Sequence, residues 1–312
     1  MTAMTSARTV AGTSTAEFDS WCRRTAARVE AALADALPAV DAPPARLHEA
    51  MRYASLGGGK RIRPLLVHAS AELSGASADA TAAAASAVEL VHAYSLVHDD
   101  LPCMDDDDVR RGRPTVHIAF DEALAMLVGD GLQALAFELL GRAGRAEPAL
   151  PTAALVTELA TAAGSAGMVG GQAIDIASVG LRLDREALEQ MHRRKTGALL
   201  RASVRLGWMA GPAAAGDAAG ARALDGYAEA IGLAFQVIDD VLDVESDSAT
   251  LGKTAGKDSA ADKPTYVSLL GLDEARSLAL GLRDEAHRAI GHFGDRAIRL
   301  AQLADLVVLR NS

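Results

Sequence analysis

The stretch DATAAAASAVELVHAYSLVH, residues 79–98, is apolar on most of its circumference and runs straight into Asp99 and Asp100. A helix that is apolar all round has to be buried on nearly all sides. The chain must therefore build a protein body around this segment, and that body is expected to be helical. Half of the 312 residues are hydrophobic but only 4% are aromatic. Alanine and leucine are strong helix formers, whereas sheet cores draw on β-branched and aromatic residues.

From about residue 16 to the C-terminus the helical pattern recurs between short breaks. Asp184 reads as the N-cap of REALEQMHRRKTGALLRASVRLG, and residues 222–244 (RALDGYAEAIGLAFQVIDDVLDV) read as a second long apolar helix that ends in acids. There is no alternating strand pattern of useful length, no fixed repeat, and no linker long enough to separate domains. The expectation is an all-α chain with one domain over 16–312, preceded by a flexible Ser/Thr/Ala-rich tail over 1–15.

The net charge of −10 argues against a general nucleic-acid binder, which would carry a basic face. Two cysteines without metal spacing give neither a disulfide framework nor a zinc site, so a reducing, cytoplasmic compartment is the default. The N-terminus lacks a hydrophobic signal-peptide core, and no uninterrupted apolar run of bilayer-spanning length is evident, so no transmembrane segment is expected.

Within that acidic chain the acids are unevenly placed. Six aspartates fall between Asp99 and Asp108, and Pro102 cannot continue the helix that delivers the first two. A bend there brings Asp105 back toward Asp99. The second cluster is DDxxD on an apolar helix, where Asp239 and Asp243 lie four apart and share a face with Gln236. Charges on such helices are costly to bury unless paired or metal-bound. Hard cations such as Mg²⁺ take oxygen ligands, typically one or two carboxylates plus water and phosphate. Asp106, Asp107 and Asp108 read as a solvated acidic turn.

The bases are grouped as well. GGGKRIRP carries Lys60, Arg61 and Arg63 behind three glycines, Arg110 and Arg111 follow the first acidic cluster, Lys195 and Thr196 fall inside a helix, and Lys253 and Lys257 follow the second cluster. Arginine suits bidentate phosphate contact, and GxxxxGK[ST] is absent, which excludes a nucleotide P-loop. His92, seven residues before Asp99, points toward the same acidic end. Acids for metal beside bases for phosphate describe a site for two anionic groups.

Seven motifs then occur in order from Gly57 onward: GGGKRIRP, VHAYSLVHDDLPCMDDDDVRRGRPTVH, GDGLQ, GGQAID, HRRKTGALLRA, GLAFQVIDDVLDV and LGKTAGKD. In these the chain resembles the trans-isoprenyl diphosphate synthases, most closely their bacterial farnesyl-forming branch. The resemblance implies an isoprenoid-synthase helical bundle, two aspartate-rich motifs facing a central cavity, a homodimer, and about three Mg²⁺ ions bridged by substrate diphosphate. It implies Asp99, Asp105 and Asp239 as principal metal ligands, with Asp100 and Asp243 nearby. It assigns Arg110, Lys195 and Lys253 to the allylic diphosphate, Lys60, Arg63, His92 and Arg111 to isopentenyl diphosphate, and Thr196 and Gln236 to the reacting carbons.

The implied reaction condenses isopentenyl diphosphate with dimethylallyl and then geranyl diphosphate, head to tail, to give farnesyl diphosphate. Tyr94 and Ser95, five and four residues before the first aspartate, are the implied limits on product length. Geranylgeranyl or geranyl diphosphate synthesis is the alternative within the fold. A terpene cyclase would not need Lys60, Arg63 and His92 as a second diphosphate site, and a non-catalytic partner subunit would be expected to have lost an aspartate cluster or Lys195. The C-terminal LADLVVLRNS follows the family only loosely, which leaves Arg310 without an assigned role.

Overall fold

The expected long apolar helix is α4, Ala78–Asp99. Ser77 caps its start by accepting a hydrogen bond from the Ala80 amide at 3.1 Å, and thirteen of its residues are buried. The protein is described here as a computed structural model over residues 15–181, 183–245 and 265–310. The expected tail lies outside these residues except for Thr15, which opens α1, and Lys253 lies outside them too.

Around α4 the chain lays down α1 (Thr15–Ala36), α2 (Ala45–Ser55), α3 (Ile62–Ser74), α6 (Glu122–Ala146) and α10 (Ala198–Met209), each of which packs against it. A short α5 (Val116–Ala119) precedes α6. α7 (Thr152–Ala163), α8 (Met168–Ala177) and α9 (Arg185–His192) lead to α10. After it come α11 (Ala218–Glu245), α12 (Tyr266–Leu270), α13 (Leu272–Ile290) and α14 (Ile298–Leu309).

The core has two lobes. One gathers Leu90, Val91, Leu132, Leu140 and Leu155 around α4 and α6, and the other gathers Tyr227, Ile231, Val237, Leu282 and Leu303 around α11 and α13. Helix α10 belongs to both, since Leu199 and Leu206 face the first lobe while Leu200 and Val204 face the second. α3 fastens on α10 through Ser70 Oγ to the Val204 carbonyl at 2.7 Å and Ser74 Oγ to the Gly207 carbonyl at 2.9 Å.

Three features depart from or refine the sequence reading. The expected single helix from Asp184 is capped as anticipated, with the Ala187 amide on Asp184 Oδ1 at 2.9 Å, but it widens to a π-turn over Arg193–Gly197 before α10. Such turns insert an extra residue and reorient the side chains they carry. Val109–Arg110 and Arg113–Pro114 form a two-stranded hairpin too short to show an alternating pattern. Finally, Ala78–Asp99, Glu122–Ala146 and Thr152–Ala177 are long and apolar enough to cross a bilayer by length and composition, although no uninterrupted apolar run of that length is evident in the sequence. The window in α4 is 72% buried inside the protein, so packing accounts for its apolarity; the other two are 44% and 33% buried.

Candidate active site

α4 ends at Asp99, and the chain turns at once. Pro102 has no amide to extend the helix, so the backbone doubles back, and the Asp105 amide donates to the Asp99 carbonyl at 2.9 Å. The Asp107 amide donates to the Asp100 carbonyl at 3.2 Å. Asp99 and Asp105 are thereby brought together, as expected of the bend. Burial pushes the Asp99 carboxyl up to about 6; Lys195 pulls it down and Asp105 adds to the rise. Asp100 is buried at 3% exposure, and its Oδ1 accepts from Arg110 Nε at 2.7 Å and Nη2 at 2.6 Å. Asp107 is not purely solvated, since it lies 3.7 Å from the same guanidinium.

Arg111 and Gly112 make the hairpin turn, both at positive φ (53° and 72°), which suits a two-residue loop. The turn sends adjacent arginines in different directions. Arg110 reaches back to Asp100, while Arg111 donates from Nη1 to the Gly58 carbonyl at 3.1 Å. Gly57, Gly58 and Gly59 all have positive φ, and a Cβ on Gly59 would sit 2.7 Å from Arg111 Nη1. The glycine loop is therefore shaped to receive that guanidinium.

The loop is held by Arg61, itself left-handed at φ 50° and 5% exposed. It donates to Glu89 at 2.5 Å, to Glu30 at 2.7 Å and to the Ser55 carbonyl at 2.8 Å. Glu30 also accepts from the Gly57 amide at 2.6 Å. Beside this strut, burial lowers the pKa of Arg63, and Arg63 Nε has no hydrogen-bond partner. Burial also drives the His92 imidazole well below its usual pKa, as do the surrounding Arg63, Arg111, Arg110 and Arg61, so it is neutral near pH 7. Lys60 is lowered by burial and by Arg310, with Asp239 acting the other way.

The second acidic end sits on α11. Asp239 Oδ1 accepts from Arg310 Nη2 at 2.6 Å, and Arg310 also donates to the Phe235 carbonyl at 3.2 Å and lies over the Phe235 ring. Asp240 is buried and occupied, since Oδ1 takes Gln236 Nε2 at 2.9 Å and Oδ2 takes the Tyr266 amide at 2.7 Å. Asp243 lies one turn further on and is half-buried.

The π-turn joins the two ends. Lys195 acts electrostatically on Asp99, while Thr196 Oγ1 contacts Gln236 Oε1 at 3.3 Å. A cavity of about 390 Å³ opens at the first end, with Arg63, His92, Asp99, Lys195 and Thr196 among its polar lining; Gln236, Asp239 and Asp243 are not among the residues that line it. Tyr94, Ser95, Met168, Val169 and Ile176 line the rest. Both length candidates therefore face the same space, with Tyr94 edge-on to His98 at 5.9 Å.

Among the described residues no three His, Cys, Asp or Glu side chains form a group able to hold an ion unaided. The donors are nonetheless hard carboxylate oxygens, and the crowding of Asp99, Asp105 and Asp100 is what a cation would relieve. Sequence reasoning passed over Glu89, Glu30 and Asp175. The available signal was an acid standing alone in an apolar helix, as in AVELV and QAIDI.

A family model described as polyprenyl synthetase matches residues 44–289. The farnesyl diphosphate synthase of Escherichia coli is 50% identical over 270 residues, 84% of this chain and 89% of that protein. A chloroplastic geranylgeranyl pyrophosphate synthase of Catharanthus roseus is 44% identical over 298 residues, 95% of this chain and 82% of that one. A solved geranyltransferase from Helicobacter pylori, complexed with magnesium and isoprenyl diphosphate, superposes with a TM-score of 0.81 at 31% identity, covering 96% of this chain and 98% of its own.

Proposed function

This chain belongs to the polyprenyl synthetase family, and we propose that it is a farnesyl diphosphate synthase that joins isopentenyl diphosphate to dimethylallyl and then geranyl diphosphate. The observation that carries this reading is the π-turn, which puts Lys195 beside the first acidic end and Thr196 on Gln236 of the second. One prenyl donor and one acceptor each need a place for a diphosphate, and the bases divide accordingly. Arg110 and Lys195, with Lys253 outside the described residues, bind the allylic diphosphate. Lys60, Arg63, His92 and Arg111 bind isopentenyl diphosphate.

Asp99, Asp105 and Asp239, with Asp243 one turn beyond Asp239, would hold about three Mg²⁺ ions together with the substrate diphosphate. Asp100 contributes through Arg110, which it anchors at 2.6 Å. Bound Mg²⁺ supplies counter-charge for the leaving diphosphate. Lys195 and Arg110 add fixed positive charge on the same group, at no reorganisation cost during ionisation. Neutral His92 offers hydrogen bonding without adding another cation to a crowded set of arginines. Thr196 and Gln236 line the path of the allylic carbon, and the apolar walls keep water from the cation. The C–O bond of the allylic substrate breaks, the isopentenyl double bond supplies the electron pair for the new C–C bond, and the proton lost leaves with diphosphate.

Tyr94 and Ser95 stop the growing chain at fifteen carbons. The second reading, a twenty-carbon product, draws on the similarity to the Catharanthus protein. The chain acts as a cytoplasmic homodimer without a membrane span, each subunit a single synthase domain over 16–312. The test is condensation of dimethylallyl with isopentenyl diphosphate at rising Mg²⁺. Turnover that requires Mg²⁺ and stops in chelator is expected; no product from folded protein refutes the reading.

A further inference from the structure

Helix α8 meets the π-turn at unusually close range. A Cβ on Gly171 would lie 2.1 Å from the Lys195 amide nitrogen and 2.5 Å from its Cα, so only glycine permits this crossing. Asp175 lies one helical turn further along α8, on the same face as Gly171. Its Oδ2 accepts from Lys195 Nζ at 2.5 Å, and Asp175 is 8% exposed. Close to this pair, His192 has no hydrogen-bond partner on either ring nitrogen and stacks on Tyr266 instead, so it does not compete for the carboxylate.

A lysine stem is flexible, and its ammonium has three donors. A donor committed to a fixed, buried carboxylate sets the direction of the other two. Lys195 and Asp99 line the same cavity, so donors not committed to Asp175 are available on the side where substrate would sit. Resting on the prenyl-transfer reading above, we propose that Asp175 is a positioning residue, which acts through Lys195 to aim the ammonium at the allylic diphosphate. The arrangement that makes it so is the Gly171–Lys195 backbone contact, with the carboxylate one turn away. An alternative role, in which the ion pair only fastens α8 to the π-turn, leaves both substrates bound equally well.

The experiment uses the full chain with Mg²⁺, dimethylallyl diphosphate and isopentenyl diphosphate. Asp175→Asn is expected to raise KM for the allylic substrate about tenfold, the scale of a lost charge-assisted hydrogen bond. KM for isopentenyl diphosphate should stay within about twofold. In a Lys195→Met background, assayed at raised enzyme concentration, adding Asp175→Asn should change the allylic KM by less than about twofold. Equal rises in both KM values, an undiminished effect in the Lys195→Met background, or wild-type constants in Asp175→Asn overturn the proposal. Should Asp175→Asn fail to fold, Asp175→Glu keeps the charge but moves it outward by a methylene. It is expected to show a smaller rise confined to the allylic KM, and unchanged constants overturn the proposal. Wild-type protein that makes no prenyl product sinks the functional reading instead.

Discussion

Replacing Asp99 by asparagine separates what this residue does for function from what it costs the fold. Burial holds its carboxyl near 6, against an ordinary 3.8. Two pKa units at about 1.4 kcal/mol each make the ionised form roughly 3 kcal/mol worse in the folded state than in the unfolded one. The sign follows from proton binding. Because the folded pKa is raised, the stabilising contribution is full below about 3.8 and is lost as pH rises through about 6. At pH 7.5 the metal-free wild-type protein carries the whole penalty, and Asp99→Asn does not. Thermal unfolding in chelator should show the variant melting roughly 5 °C higher at pH 7.5. The gap should shrink to about half by pH 5 and vanish below pH 4. Turnover should fall by orders of magnitude, and added Mg²⁺ with diphosphate should stabilise only the wild type. An asparagine variant no more stable than wild type at pH 7.5 refutes the burial argument, and near-normal turnover refutes the metal assignment.

Tyr94 lines the cavity at 5% exposure, so Tyr94→Ala should lengthen the product beyond fifteen carbons while lowering stability by about 3–5 kcal/mol. Unchanged product length by chromatography would move the limit elsewhere. Glu89→Gln leaves Arg61 with Glu30 as its remaining carboxylate, and loss of a buried partner should cost about 3 kcal/mol in denaturant unfolding. The same variant should raise KM for isopentenyl diphosphate more than for the allylic substrate, because Arg61 holds the glycine loop; equal effects count against that role. Arg310→Met removes the contact to Asp239, and calorimetric titration should then show tighter Mg²⁺ binding in the presence of diphosphate. Weaker binding would show that Arg310 helps to hold the ligand rather than competing for the carboxylate.

Much of the site was legible because its residues break local rules. Aspartates on apolar helices and arginines behind three glycines make poor sense as packing, so they pointed outward from the sequence to a ligand. Pro102 likewise announced the bend that returns Asp105 to Asp99. The π-turn was not legible, since nothing in the local pattern of RRKTG marks it and its close neighbour, Gly171, lies on a helix more than twenty residues upstream. The partners of buried charges were equally hidden. Nothing in the spacing said that Arg61 would settle on Glu30 and Glu89, or that Asp100 would be given to Arg110. Those pairings depend on which helices meet, and that is set by the packing of the two lobes. The apolarity of α4 was legible for what it is, since a helix apolar all round is one buried within the bundle, and its window is 72% buried.

Sizing the product made from labelled isopentenyl diphosphate and dimethylallyl diphosphate, with Mg²⁺ present, tests the central claim most directly. The expected outcome is a product of mainly fifteen carbons, formed through a ten-carbon intermediate that chases forward. A twenty-carbon main product contradicts the farnesyl assignment and the stop at Tyr94 and Ser95, and no condensation by folded protein contradicts prenyl transfer itself.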